Sequence, residues 1–219
     1  QGYMELSSSS RKPFQKDYDH LVMIELETTV ELFSRSTDDG QVLLSGELER
    51  ILNKNLVDGS ILDAHIAQNE EQRLIMWERR EAAAEISLLK KPLINNDIAV
   101  PLEKISEFLT IMENKLPELD PEADVLIVSH LGDGNVHYTV WPSLDDEKHK
   151  DKIMEAMENV VLLLGGSFSA EHGIGISKLS SMERRKDSVA LKVMRQIKDA
   201  IDPKGIMNPG KVLPREYDS

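Results

Sequence analysis

Apolar residues recur along this chain with two different periods, and the changes of period divide it into alternating helices and strands. From Gly46 to Leu56 the side chains of Leu48, Ile51 and Leu52 fall on one helical face. Glu70 to Leu89 continues a helical pattern that ends before Pro92, since proline disfavours helix in the residue ahead of it. Pro101 heads a further helical run through Leu102, Ile105, Leu109, Met112 and Leu116, at the position where a missing N–H costs least. Lys150 to Leu164 aligns Ile153, Met157, Val160, Val161 and Leu164 on one stripe. Ser188 to Ile201 predicts a last helix with Val189, Val193, Ile197 and Ala200 turned inward, stopped by Asp202-Pro203. Strand-like runs occupy His20 to Glu27, Ser60 to Ala67, Asp97 to Val100, Val125 to Ser129 and Val136 to Val140. Helices following strands, with at least one hairpin, predict an α+β layer fold with a mainly antiparallel sheet. The methionines sit mostly on the apolar faces and read as core filler.

The hairpin carries the first sign of chemistry. His130 to His137 reads H-L-G-D-G-N-V-H, and Asp133-Gly134 is a favourable two-residue turn because a type I′ turn needs positive φ at both central positions. Centred there, the turn would pair Gly132 with Asn135, Leu131 with Val136 and His130 with His137. Opposed Cβ atoms lie about 4.5–5.5 Å apart, close enough for two imidazoles to bind one metal ion. The bland alternative is a surface hairpin that happens to hold two histidines. Downstream, the glycine- and serine-rich run from Gly165 to Gly175 reads as a tight loop following a helix. Its Glu171 would complete a two-His, one-carboxylate set with open positions, and His172 would then be free as a general base. Alone this loop could equally be a solvated helix start.

Composition narrows the classes. The chain has 219 residues, no cysteine and a net charge of −13. Disulfides, thiolate metal sites and thiol nucleophiles are therefore excluded, and a cytoplasmic location is expected. The acidic balance argues against nucleic-acid or anionic-membrane partners, which call for a basic face. No apolar run approaches the roughly 20 residues of a membrane-spanning helix. An acidic substrate would need local positive charge, from a metal or from placed Arg and Lys residues. Neither standard glycine-rich phosphate loop occurs.

The two motifs above, followed by D-P-K-G-I-M-N-P-G-K at 202–211, strongly resemble the C-terminal half of FAD-linked 2-hydroxyacid dehydrogenases. That group includes D-lactate dehydrogenase, the glycolate oxidase flavin subunit and D-2-hydroxyglutarate dehydrogenase. The resemblance implies a ferredoxin-like antiparallel sheet with helices packed on it, forming a substrate or cap domain over 17–165. Residues 1–16 would be a tag remnant and flexible lead-in. Residues 166–219 would carry the Glu-His loop and a helical segment returning to a flavin-binding domain. That domain normally lies N-terminal to this part, so FAD would be bound mainly outside this sequence and the chain alone would not turn over substrate.

The resemblance further implies that His130, His137 and Glu171 hold zinc or manganese, which binds the carboxylate and 2-hydroxyl of a small 2-hydroxy acid. His172 would take the hydroxyl proton while the C2 hydrogen leaves as hydride to the flavin. Arg80, in Trp77-Glu78-Arg79-Arg80-Glu81, and Asn135 would contact the substrate, and Asn208 would lie near the flavin ring. An unidentified electron acceptor and a second copy of the chain are the remaining expected partners. Three places depart from the pattern of dicarboxylate-specific members: Ala84 stands where Thr is common, Asn95-Asn96-Asp97 where a Lys is common, and Tyr138-Thr139 where Asn follows. These departures set the chain apart from the 2-hydroxyglutarate-like pattern and leave the specific substrate open, with a mono-acid carrying an apolar or bulky tail as an alternative. Two other classes remain on the residues alone: a metal-dependent hydrolase using the same ligand set, and a non-catalytic metal-binding or oligomerising module.

Overall fold

A computed structural model describes residues 13–35 and 42–215. Two compact units divide between Ile86 and Ser87. The first contains a short helix α1 (Glu31–Ser34), then α2 (Leu43–Val57) and α3 (Glu70–Ser87). None of its described residues up to Ile86 is buried. The strands expected at His20–Glu27 and Ser60–Ala67 do not form: both stretches are extended or irregular, and Leu21, Val22, Ile24 and Leu62 are exposed. Strand propensity describes how a side chain fits a pleated, half-buried surface, and neither stretch has a ladder to join among the described residues. Glu25, within the first stretch, instead anchors to α3 by accepting from Arg73 at 3.0 Å and from the Trp77 indole.

In the second unit, β1 (Ile94–Ala99), β2 (Asp124–His130) and β3 (Asn135–Trp141) form an antiparallel sheet in the order β1-β3-β2. A 3-10 turn (Leu102–Lys104) leads into α4 (Ile105–Leu119), and α5 (Glu147–Leu163), α6 (Leu179–Arg185) and α7 (Ser188–Ile201) follow β3. Asp146 and Asp187 cap α5 and α7 by accepting the amides of His149 and Ala190, which satisfies donors that a helix start leaves open. This is the α+β arrangement that the alternating periods predict.

Side chains along a strand alternate between the two faces of the sheet, and here the two faces do different work. One carries Ile94, Ile98, Val136, Tyr138 and Val140 into a core completed by Phe108, Met112 and Leu116 of α4 and Ile153, Met157 and Val161 of α5. Phe108 meets Tyr138 edge-on at 5.8 Å, a favoured aromatic geometry. The opposite face carries Asn95, Asp97, His130, Asn135, His137 and Thr139.

The hairpin and the last helix differ from what their sequence patterns predict. The β2–β3 register pairs His130 with Asn135 and Val128 with His137, so the two histidines are diagonal rather than opposed. The connection is a four-residue loop, Leu131–Gly134, and Asp133-Gly134 ends it rather than forming its centre. Gly134 is held by β1's end: its carbonyl accepts the Val100 amide at 3.1 Å, its φ is +77°, and a Cβ there would lie 2.1 Å from the Val100 carbonyl oxygen. Asp133 turns its carboxylate onto the Asn135 amide at 3.1 Å. The tertiary contact with β1, together with this local side-chain bond, accounts for the wider loop. In α7 the predicted apolar stripe exists, yet Val189, Val193, Ile197 and Ala200 are exposed, because periodicity defines a stripe without supplying what covers it.

Candidate metal centre

The loop after α5 is laid along the outer edge of β1. Ala99 and Ser167 exchange backbone hydrogen bonds of 2.9 and 2.8 Å, and the Ala170 amide donates to the Asp97 carbonyl at 3.2 Å. Only glycine permits so close an approach at position 166, where a Cβ would lie 2.2 Å from the Ala99 carbonyl oxygen. Fully buried beneath this loop is the carboxylate of Asp97, which accepts the amides of Ala170 (3.2 Å), Glu171 (3.1 Å) and His172 (2.8 Å) and pairs with Lys178 Nζ at 3.0 Å. Burial pushes this carboxyl upward, but the His172 amide, the Lys178 ammonium and the Glu171 amide outweigh it and hold it at about 2. Lys178 also donates to Ser169 Oγ at 2.8 Å, so the loop is tied from both ends of the ion pair.

Held in this way, Glu171 and His172 stand over the polar face of the sheet. Glu171 Oε1 lies 3.0 Å from His137 Nε2 and 3.7 Å from Nε2 of both His130 and His172. The His130 and His137 rings meet edge-on at 5.3 Å, and those of His137 and His172 stack at 5.0 Å. Three imidazole nitrogens thus converge on one carboxylate oxygen. Burial, and next the neighbouring His172, lower the His137 pKa, against the opposing pull of Glu171 and Asp97. The neutral ring this favours is the form that ligates a metal. Ligand atoms of Asp97, His137, Glu171 and His172 lie within 4.8 Å of one another.

Asn135 sits on the same face, opposite His130, and is buried, with an amide oxygen that has no hydrogen-bond partner among the described residues. A buried acceptor without a partner costs about 1–3 kcal/mol. Imidazole and carboxylate are donor types that can hold a divalent ion. The structure therefore gathers His130, His137, Glu171, His172 and Asn135. Arg80 lies half-buried on α3 in the N-terminal unit. Asn208 is exposed, with φ +46°, and lines a shallow cavity of about 390 Å³ with Arg195, Lys198 and Lys211. Two of the departing positions, Asn95 and Thr139, face one another across β1 and β3 with Thr139 Oγ1 3.4 Å from Asn95 Oδ1.

Asp97 and Lys178 are absent from the site read from sequence. The signal for Asp97 was an acid directly preceding the apolar run Ile98-Ala99-Val100, since a buried charge must be paired. Lys178, in an irregular polar stretch, gave none. The remaining histidines stand outside the site: His149 pairs with Asp120 at 2.9 Å, while His20 and His65 are exposed.

Residues 6–212 match the family described as FAD linked oxidases, C-terminal domain. The chain is 31% identical over 202 residues to a protein of Oryza sativa subsp. indica named "Probable D-2-hydroxyglutarate dehydrogenase, mitochondrial", which covers 90% of this chain and 33% of that protein. It is 30% identical over 208 residues to the D-2-hydroxyglutarate dehydrogenase of Stutzerimonas stutzeri, covering 92% of this chain and 42% of the other. Similarity to the D-lactate dehydrogenase of Anaerostipes hadrus is 31% over 199 residues, covering 86% and 41%. The chain thus spans between 33% and 42% of the length of these relatives.

Proposed function

The chain belongs to the family of FAD-linked oxidase C-terminal domains, and on that premise we propose that it is the substrate-handling part of an enzyme oxidising a 2-hydroxy acid to the 2-oxo acid. The convergence of His130, His137 and His172 on Glu171 Oε1 is the observation that carries this reading. His130, His137 and Glu171 would hold a divalent zinc or manganese ion, whose Lewis acidity polarises the substrate's carboxylate and 2-hydroxyl oxygens. FAD, which the family implies, would supply the acceptor for the hydrogen and electron pair of the C2–H bond.

The residues of this chain orient the substrate and manage its proton. His172 stacks on His137 with its Nε2 beside the carboxylate, and it is the group to take the 2-hydroxyl proton as general base. Asn135 offers its open buried oxygen to the substrate hydroxyl or to a bound water. Arg80 is the candidate partner for the substrate carboxylate, a task suited to a planar bidentate donor. Among 2-hydroxy acids, Ala84 adds no polar group, and Asn95 and Thr139 lie within hydrogen-bonding distance of each other. Both features favour a monocarboxylic substrate with an apolar tail over a dicarboxylic one.

Elemental analysis of the purified chain tests the centre. About one equivalent of zinc or manganese is expected in the wild type and none in His130→Ala with His137→Ala. With the flavin-binding part restored, His172→Ala should keep its metal and lose flavin reduction by 2-hydroxy acids. Metal lost with flavin reduction intact would reverse the assigned roles, and a wild type that binds neither ion would remove the reading.

A further inference from the structure

We infer that Asp97 is the positioning residue of this centre, the single carboxylate that sets the Glu171-His172 loop against His137. Three observations meet on it. Its carboxylate accepts three consecutive amides, those of Ala170, Glu171 and His172, so the backbone that bears both functional side chains is fixed to one group. In the sheet, Asp97 is the direct cross-strand partner of His137, so the loop is referenced to the strand that supplies the most buried histidine of the centre. Lys178, eleven residues beyond Ser167, returns to the same carboxylate at 3.0 Å and to the Asp97 carbonyl at 3.3 Å, clamping the far side of the loop.

Chemistry explains why a carboxylate is needed. Consecutive amides pointing the same way form a concave positive surface that an anion fills. An aspartate held inside the protein does so permanently, and bonds to a charged acceptor are about twice as strong as neutral ones. The amides are then unavailable to substrate anions, and the loop is formed before a ligand arrives. Asp97 needs no contact with substrate or flavin for this role. It acts through Glu171 and His172, as outer-shell partners of metal ligands do.

The functional consequence rests on the metal reading above, whereas the loop-holding role is testable without it. In the full chain, Asp97→Asn keeps size and acceptor oxygen while removing the charge. Hydrogen exchange at the Ala170, Glu171 and His172 amides should accelerate about tenfold or more, and zinc, titrated alone, should bind about tenfold or more weakly. Lys178→Gln leaves the carboxylate in place and should shift both readouts the same way by less. A folded Asp97→Asn variant with those three amides as protected as in the wild type overturns the inference. So does a variant of lowered stability whose folded fraction binds zinc as tightly as wild type, because Asp97 would then be an ion pair of the core alone. Should Asp97→Asn fail to fold, unchanged exchange in Lys178→Gln overturns it. A wild type that binds no zinc sinks the metal reading only, and the amide exchange still decides this one.

Discussion

Replacing Gly166 by alanine should peel the Glu-His loop from the sheet, and the size of the effect follows from the contacts. The added Cβ would lie 2.2 Å from the Ala99 carbonyl oxygen and 2.9 Å from Cγ1 of both Val100 and Val161. A carbon normally approaches a carbonyl oxygen no closer than about 3.3 Å, so strand and loop must part by about 1 Å. That separation breaks the 2.8 and 2.9 Å hydrogen bonds between Ala99 and Ser167. Each contributes about 0.5–1.5 kcal/mol, and overpacking against the two valines costs a further ~1–3 kcal/mol. The expected loss is therefore about 4 kcal/mol, read from urea unfolding, with faster amide exchange at Ser167. Gly165→Ala supplies the control: Gly165 has φ +77° but nothing within 4 Å of its virtual Cβ, so it carries only the left-handed backbone cost of about 1–2 kcal/mol. A Gly166→Ala protein within ~0.5 kcal/mol of wild type, or one more stable than Gly165→Ala, would refute the reasoning.

Acid should expose the role of Asp97, whose folded pKa of about 2 lies below its ordinary 3.8. A depressed carboxyl contributes stability above the ordinary value and loses it as pH falls toward the folded one, here about 2 kcal/mol between pH 4 and pH 2. Unfolding measured across that window should show a shallower acid limb in Asp97→Asn, and an identical limb would contradict the assignment. Buried Glu158 is held by Ser181, Arg184 and Arg185 at 2.5, 3.2 and 2.9 Å. Replacing both arginines by methionine strands a buried charge and should cost about 3–5 kcal/mol, with Glu158→Gln added to that variant restoring part of it; no restoration on chemical unfolding would argue against the pairing. On α7, Val193→Gln and Ile197→Gln should each shift stability by less than ~0.5 kcal/mol, since both side chains are already exposed. A larger loss in thermal unfolding would mean that the stripe is covered in the folded chain.

Much of the second unit was legible because its signals are local. The helix containing Ile153, Met157, Val160 and Val161 and the arms around His130 and His137 follow from period alone. The motifs that gather His130, His137, Glu171 and His172 were visible as strings. What escaped depends on distant partners. The register of the hairpin turns on Gly134 meeting Val100, which no turn rule can see. Strand-like composition at His20–Glu27 and Ser60–Ala67 could not create a neighbouring ladder. Lys178 becomes meaningful only when the fold brings it to a carboxylate far away in the chain. Phe108, three residues after Ile105 and four before Met112, shares their helical face and is fully buried, so the period alone could have named it for the core.

The alternation of β3 has a consequence for how errors in this protein are felt. Val136, Tyr138 and Val140 enter the core, while Asn135, His137 and Thr139 interleave with them on the other side. A one-residue slip of this strand would drive an imidazole and an amide into the hydrocarbon interior and turn three large apolar side chains out onto the polar face. No slipped state can be well packed with its histidines misplaced. Folding therefore proofreads the centre: the same energetic test that accepts the packed sheet accepts only the one alignment in which the histidines meet the carboxylate.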